Sequence, residues 1–325
     1  MPCYNPLVAW NYEGKMVFNP PPTHRINKPY NLPCGKCIGC RLNYARSWAL
    51  RCQLEALSHT DNCFITLTFN NEELHKRDNP WSVDVHDFQL FMKKFRKKYS
   101  KQIRFFHCGE YGEKTYRPHY HALIFGHDFR IPTTNNKVKK YGSNKYPLYE
   151  STELTTLWGR GHTTVGELNF DTASYTARYV TKKIKGDATN IYINPETGEV
   201  SEINNVYCTM SRANGIGYDA YQKYKHNWYP NDFIVNGNGI KMKPPRYFDD
   251  LYKEEYPEKM EAIKKARKET LDFVDQNPRD PKYRRLKDIE NVKQLKLKEC
   301  LRELDAWQQP QKKHNLILYI MYEIN

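Results

Sequence analysis

No stretch of the chain approaches the ~20 consecutive apolar residues that a membrane-spanning helix needs. The C-terminal LILYIMY (316–322) is too short for that, and reads as a strand or a small docking segment. A membrane partner is therefore not expected. The opening MPCYNPLVAWNYEGK lacks a basic region followed by an apolar one, so no secretory leader is expected either. Nine cysteines are an odd number without such a leader, which predicts reduced thiols in a cytoplasm rather than a disulfide framework. No internal repeat is evident. Acidic residues fall short of basic ones, 37 Asp and Glu against 51 Lys and Arg, leaving a net charge of +14. That balance suits a polyanionic partner without naming it.

What is present is a globular chain. Its 325 residues are 39% hydrophobic, enough for one large domain or two modest ones with a sizeable core. The 25 tyrosines serve mostly as core and surface residues, but tyrosines interleaved with cations also suit stacking on bases beside phosphates. Residues 1–33, rich in Pro and Asn, read as irregular. NYARSWALRCQLEALSH (43–59) reads as a helix capped by Asn43, CFITLTF (63–69) as a strand, and SVDVHDFQLFMKKFRKKYS (82–100) as an amphipathic helix. QIRFFHCGEYG and RPHYHALIFG read as an antiparallel pair joined by a short loop. STELTTLWG (151–159) reads as a short helix and HTTVGEL (162–168) as a strand. DTASYTARYVTKKIKG (171–186) reads as a helix with Asp171 as N-cap and Gly186 as stop. From about Asp249 the chain turns highly charged and helical, with NPRDPKY (277–283) as a break. The expected fold class is α+β, a largely antiparallel central sheet flanked by helices, with a helical C-terminal extension. The expected division is an arm with a cysteine cluster at 1–60, a central domain at 61–248 and a charged helical region at 249–325.

RPHYHALIF (117–125) places His119 and His121 two apart in an otherwise apolar strand. A strand's side-chain period of two sends both imidazoles to one face and Tyr120 to the other. Two ligands plus an acid from the neighbouring strand would complete a metal site, and Glu110 stands where an antiparallel partner brings it beside the pair. A hydrogen-bond network is the alternative, and on these residues zinc hydrolysis stays open. Tyr175 and Tyr179 lie four apart on one helical face, with Lys182 and Lys183 following. That stripe reads either as core, with Ala173 and Val180, or as a pair of phenols for phosphoryl transfer. A phenol with a pKa of about 10 becomes a useful nucleophile when a metal polarises its target and a cation stabilises developing charge.

FITLTF, RPHYH and YTARYVTKK, in this order, resemble the HUH endonuclease superfamily of rolling-circle replication initiators, and the YxxxY pair its two-tyrosine branch. PCGKCIGCRLNYARSWALRC, CGEYGEKTYRPHYHALIFG and MSRANGIG resemble the replication initiators of microviruses, most closely the gokushovirus group. The match runs from about Cys34 to Gly217. The resemblance implies an HUH nuclease fold in which His119 and His121 bind Mg²⁺ or Mn²⁺. Glu110 is assigned as third ligand, Tyr175 and Tyr179 match the paired nucleophiles, and Lys182 matches the lysine at the scissile phosphate. It implies nicking of single-stranded DNA at a replication origin through a 5′-phosphotyrosyl link, in the cytoplasm of a bacterial host, with host helicase and replication machinery as partners. A relaxase or tyrosine transposase shares the two-histidine strand, and a non-catalytic basic nucleic-acid binder is the reading from another class.

Further residues carry weaker expectations. Cys34, Cys37 and Cys40 at CxxCxxC spacing, with Cys52 twelve on, suit structural Zn²⁺. They also match part of an iron–sulfur run lacking its fourth cysteine and proline, and Cys52 shares a helical face with Ala45, Trp48 and Ala49, as a core residue would. Lys93, Lys94, Arg96, Lys97, Lys98, Lys101 and Arg104 form a basic run without an acid, suited to phosphates or to a solvated face. Arg212 with Gly215 and Gly217 suits a phosphate cradle. Thr66 and Thr68 share a strand face and correspond to the first motif, with a structural or DNA-positioning role. His107, opposite in facing to Glu110, reads as a core or surface residue.

Overall fold

The computed structural model describes residues 3–22, 29–99, 102–112, 116–142, 147–182, 190–193, 198–276 and 286–296; side chains of 178–182, 190 and 270–276 fall outside that description. Two compact units are present: Ala45–Ile263, and residues before 45 together with those from 264 on in the described C-terminal part.

In the smaller unit, β1 (Leu7–Tyr12) pairs antiparallel with both β2 (Lys15–Val17) and β3 (Tyr30–Leu32). This corrects the expectation of an irregular arm. Glu13 and Gly14 both have positive φ, 49° and 78°, which makes the two-residue hairpin turn whose twist matches paired strands. The turn signal was a Glu-Gly in place of the usual Asn-Gly or Asp-Gly. Helix α1 (Ile38–Ala56) begins in this unit, five residues ahead of the expected cap at Asn43, and ends in the larger one. Residues 45–56 thus group with the sheet, whereas the sequence reading closed the arm at 60.

The larger unit follows as β4 (Asn62–Phe69), α2 (Asn71–His75), α3 (Val85–Lys98), β5 (Arg104–Tyr111), β6 (Pro118–Phe125), β7 (Val138–Gly142), β8 (Pro147–Ser151) and α4 (Thr152–Trp158). Then come β9 (Gly161–Glu167), α5 (Phe170–Lys182), β10 (Asn190–Ile193), β11 (Val200–Ile203), β12 (Tyr207–Met210), α6 (Tyr218–Trp228) and α7 (Arg246–Glu255), and α8 (Pro257–Gln276) starts in this unit and ends in the smaller one. Seven strands form one sheet in the order β12-β5-β6-β4-β9-β8-β7, and every pairing is antiparallel. The α+β class and the antiparallel sheet are as expected. Helices α7 and α8 and helical residues 286–296 bear out the helical character of the charged region. The break at 277–283 and LILYIMY lie outside the described residues.

Strand β6 is buried along its whole length because it sits inside the sheet with both faces covered. On one face Ile65, Leu67, Tyr120, Ala122 and Ile124 pack with Phe88, Phe91, Met92 and Phe95 of α3 and with Leu154, Leu157 and Trp158 of α4. On the other, Phe64, Phe106, Leu123 and Phe125 pack with Ala45, Ala49 and Cys52 of α1 and with Ala173 and Ala177 of α5. Alanines one turn apart let α5 lie close on the strands. Local chemistry sets the helix ends: Asp84 Oδ1 accepts from His86 N at 2.8 Å, Ser151 Oγ from Leu154 N at 3.1 Å, and Asn169 Oδ1 from the N–H groups of Asp171 and Thr172 at 3.0 and 2.9 Å. Asn169 therefore caps α5 in place of the expected Asp171, which sits in the first turn and faces the positive helix end instead.

On the first face, Asp87 of α3 gathers Arg77 Nη2 at 2.8 Å, Arg160, and the Tyr120 hydroxyl at 2.7 Å. This ties α3 to the strand that carries both histidines. Gly161 has φ +148°, and a Cβ there would meet Asn70 N at 2.3 Å and Thr68 O at 2.5 Å, both backbone. Gly161→Ala is expected to destabilise the protein by about 2–4 kcal/mol, from backbone strain and overpacking together. Urea unfolding measures it, and a change under about 0.5 kcal/mol, typical of an innocuous surface site, would contradict the close approach.

Candidate metal centre and tyrosine helix

The register of β5 against β6 sets Glu110 directly opposite His119 and Cys108 opposite His121, and β4 sets Thr68 beside His119 and Thr66 beside His121. All of these point to the face beneath α1 and α5. His119 Nε2 and His121 Nε2 both lie 2.9 Å from one oxygen, Glu110 Oε1. All three residues are buried, and their ligand-capable atoms lie within 4.8 Å of one another. The structure thus brings together the three residues that sequence reasoning selected, including the acid chosen from strand pairing.

Hydrogen bonds behind the rings set their orientation. His119 Nδ1 lies 3.0 Å from the Arg117 carbonyl, which only accepts, so Nδ1 carries the proton. His121 Nδ1 lies 2.9 Å from the Thr66 hydroxyl. With Nδ1 protonated, a neutral imidazole turns a lone pair toward the Glu110 carboxylate, and that contact needs positive charge between the groups. Burial raises the Glu110 carboxyl, but with that charge supplied by a proton on Nε2 the His119 and His121 rings hydrogen-bond to it, outweigh burial and hold the group down at about 2. Glu110 Oε2 and the hydroxyls of Thr68 and Thr164 are buried without a partner among the described residues. Donors at right angles around an ion at about 2.1 Å stand about 3.0 Å apart, close to the 2.9 Å separations here. The donor set, two imidazoles and a carboxylate, therefore fits a divalent cation such as Mg²⁺ or Mn²⁺. Thr66→Val removes the oxygen that orients His121 and is expected to weaken Mn²⁺ binding about 10–100-fold. Calorimetric titration with Mn²⁺ checks it; unchanged affinity would show that the hydroxyl does not hold the ring.

Helix α5 crosses this face. The Tyr175 ring lies 5.4 Å from that of His121, at 83°, and 6.2 Å from Phe64, edge-on. Position 179 follows one turn on and 182 one turn beyond that, so the backbone aligns all three along one stripe. The side chains of Tyr179 and Lys182 lie outside the described residues, as do Lys183 and Lys101 in full.

Other predicted contacts are arranged differently. The basic run belongs largely to α3, which covers the opposite face of the sheet from the histidines. Lys93, Lys94 and Lys97 are exposed. Arg96 donates to the Ile103 carbonyl at 2.9 Å, and Lys98 pairs with Glu153 at 2.6 Å. Arg104, at the other end of β5, binds Glu55 and the carbonyls of Ala213 and Asn214. The phosphate cradle is likewise not open as drawn: Gly215 N donates to Tyr247 Oη at 3.0 Å and Gly217 N to Glu55 Oε2 at 2.7 Å, so those N–H groups are already used. Arg212 beside them is exposed. Of the two expectations for His107, core or surface, the structure takes the core: it is stacked 3.5 Å from Phe88 with Nδ1 2.9 Å from Thr209 Oγ1, and burial keeps it well below the usual imidazole range.

The cysteine cluster keeps three of its expected members and exchanges the fourth. Cys3 joins Cys34, Cys37 and Cys40 with all four sulfurs within 4.8 Å. Cys52 is fully buried among Phe64, Leu123 and Ala49, where burial pushes its thiol well up. Sequence reasoning missed Cys3 because it stands 31 residues from Cys34, outside any local spacing; the signal was a cysteine between Pro2 and Pro6 in the arm. Burial raises the Cys37 thiol, but N–H groups of Cys40 and Tyr4 outweigh it and bring it to about 7.

Comparison with known proteins places this arrangement. A family described as replication-associated protein ORF2/G2P matches residues 62–184, the span from β4 to the end of α5. The replication-associated protein VP4 of Bdellovibrio phage phiMH2K is 33% identical over 290 residues, 86% of each chain. The replication-associated protein ORF2 of Spiroplasma virus 4 is 31% identical, covering 74% of this chain and 76% of its own. The ORF4 protein of the same description from Chlamydia phage 1 is 30% identical, over 70% of this chain and 55% of its own. No solved structure matches.

Proposed function

The chain belongs to the phage replication-associated proteins of microvirus type, rolling-circle initiators, and from that premise we propose that it is a site-specific, metal-dependent nickase and strand transferase for single-stranded DNA at a replication origin. One observation carries the reading: the Tyr175 ring stands 5.4 Å from His121, over a buried Glu110–His119–His121 set that fits a divalent ion. Strands β5 and β6 supply the ligands and helix α5 the nucleophile, from separate parts of the chain onto one face.

His119, His121 and Glu110 would hold the ion, and bound Mg²⁺ or Mn²⁺ supplies electrophilic polarisation of a phosphate. The Arg117 carbonyl keeps the His119 Nε2 lone pair turned inward, and the Thr66 hydroxyl holds the His121 ring with its Nε2 toward Glu110. The Tyr175 or Tyr179 oxygen bonds to phosphorus as the phosphorus–O3′ bond breaks. The phenolic proton leaves to solvent and the 3′ oxygen takes one up, giving a 5′-phosphotyrosine and a 3′-OH that primes synthesis. Lys182 stabilises the charge on the phosphate. The second tyrosine cuts the regenerated origin, and the released 3′-OH attacks the first link and closes the circle. Bond energy is conserved in the phosphotyrosine, so no nucleotide hydrolysis is needed. The names of the relatives favour replication over mobilisation or transposition. Host helicase and replication machinery, and action within the host cytoplasm, go with that role.

The test incubates the protein with the circular DNA that encodes it, single-stranded and supercoiled, and Mn²⁺ or Mg²⁺, followed by detergent. A DNA-linked protein band abolished by chelator is expected. Nicking without linkage would make the site a metal hydrolase, and binding without nicking would make the protein a non-catalytic DNA binder.

A further inference from the structure

The smaller unit has almost no apolar core. Among the described hydrophobic side chains before Ala45, only Tyr4, Ala9 and Cys37 are buried, while Leu7, Val8, Met16, Phe18 and Tyr30 are exposed. Helical residues 286–296 add none, since Ile289, Val292 and Leu295 are exposed. Glu290 contributes polar ties, accepting from Ile38 N at 3.3 Å and from the Asn5 amide at 3.3 Å. Modules with so little buried apolar surface depend on a covalent or metal staple.

The four cysteines are free thiols, so no disulfide provides that staple. Their geometry matches a single ion instead. A tetrahedral site with metal–sulfur bonds of about 2.3 Å has edges of about 3.8 Å, and Cys37 Sγ lies 3.8 Å from Cys3 Sγ. Backbone N–H groups converge on the sulfurs as they do on thiolates. Cys34 N points to Cys3 Sγ at 3.2 Å, Tyr4 N to Cys37 Sγ at 3.3 Å, and the N–H groups of Lys36 and Cys37 to Cys34 Sγ at 3.4 and 3.3 Å. Gly35, at φ +73°, makes the turn that points two N–H groups back at one sulfur. An iron–sulfur cluster spreads its thiolates over several irons, a wider cage than four sulfurs within 4.8 Å.

We propose that Cys3, Cys34, Cys37 and Cys40 form a tetrathiolate structural zinc site that fastens the N-terminal strand segment to the start of α1. Cys52 takes no part in it. The site is independent of the Glu110–His119–His121 set: it uses thiolates where that set uses imidazole and carboxylate, and it serves folding.

The experiment measures metal content of the full chain purified under reducing conditions without chelator. About one zinc per chain is expected, kept in Glu110→Gln and in Cys52→Ser and falling below a tenth in Cys3→Ser and Cys37→Ser. A variant that fails to fold leaves a second readout on the wild type. Replacement by Co²⁺ is expected to give the thiolate-to-metal and d–d absorption of a tetrahedral thiolate site, and alkylation is expected to reach Cys3, Cys34, Cys37 and Cys40 only after chelation. Absence of zinc, iron in its place, loss of zinc in Cys52→Ser or its retention in Cys3→Ser would each overturn the proposal. Loss of the DNA adduct with zinc retained would bear on the proposed catalysis and leave this site standing.

Discussion

The chain carrying both Tyr175→Phe and Tyr179→Phe is expected to form no detergent-stable DNA adduct, a loss of at least about 1000-fold, since phenylalanine offers no nucleophile. The effect should be chemical and not structural. Tyr175 packs through its ring, against Phe64 and toward His121, and Phe keeps that ring. Unfolding free energy should therefore stay within about 1 kcal/mol of wild type, as for changes that create neither cavity nor unpaired buried charge. Binding of single-stranded DNA should persist. Tyr175→Phe alone separates the roles of the two phenols: residual adduct assigns it to Tyr179, and a single round without circle closure shows that termination needs the pair. An adduct of undiminished yield in the double variant would remove tyrosine from the chemistry.

Glu110→Gln carries the second large effect. The side chain keeps its size, but the one oxygen on which both imidazoles converge at 2.9 Å loses its charge. A neutral amide cannot balance a dication in a fully buried site, so Mn²⁺ affinity is expected to fall by at least about 100-fold, the upper end of what loss of a supporting residue alone costs. Cleavage should fall with it and recover partly at high Mn²⁺. Titration calorimetry and the adduct assay together check this. Wild-type Mn²⁺ affinity in Glu110→Gln would mean that the carboxylate serves only as the histidines' hydrogen-bond partner.

The seven-stranded sheet buries the Glu110–His119–His121 set. Its central strands are covered on both faces, by α3 and α4 on one side and α1 and α5 on the other. Asp87, which no motif marked, secures the far side by holding Arg77, Arg160 and Tyr120, and so fixes the strand on which His119 and His121 stand. Its role was invisible in sequence because its partners come from three separate segments.

Local periodicity was enough for part of this protein. A strand alternates faces at every residue, so His119 and His121 had to point together, and Glu110 had to face them once its strand paired in that register. A helix repeats every 3.6 residues, so positions 175, 179 and 182 had to share a stripe. These relations are set by backbone geometry within a few residues or across one tight connection. Which face of the sheet each helix covers is not. The tertiary structure alone put the α3 lysines behind the sheet, spent the N–H groups of Gly215 and Gly217 on Tyr247 and Glu55, and chose Cys3 over Cys52. Those outcomes depend on which distant segments bury surface together, a balance summed over the whole core that no local spacing encodes.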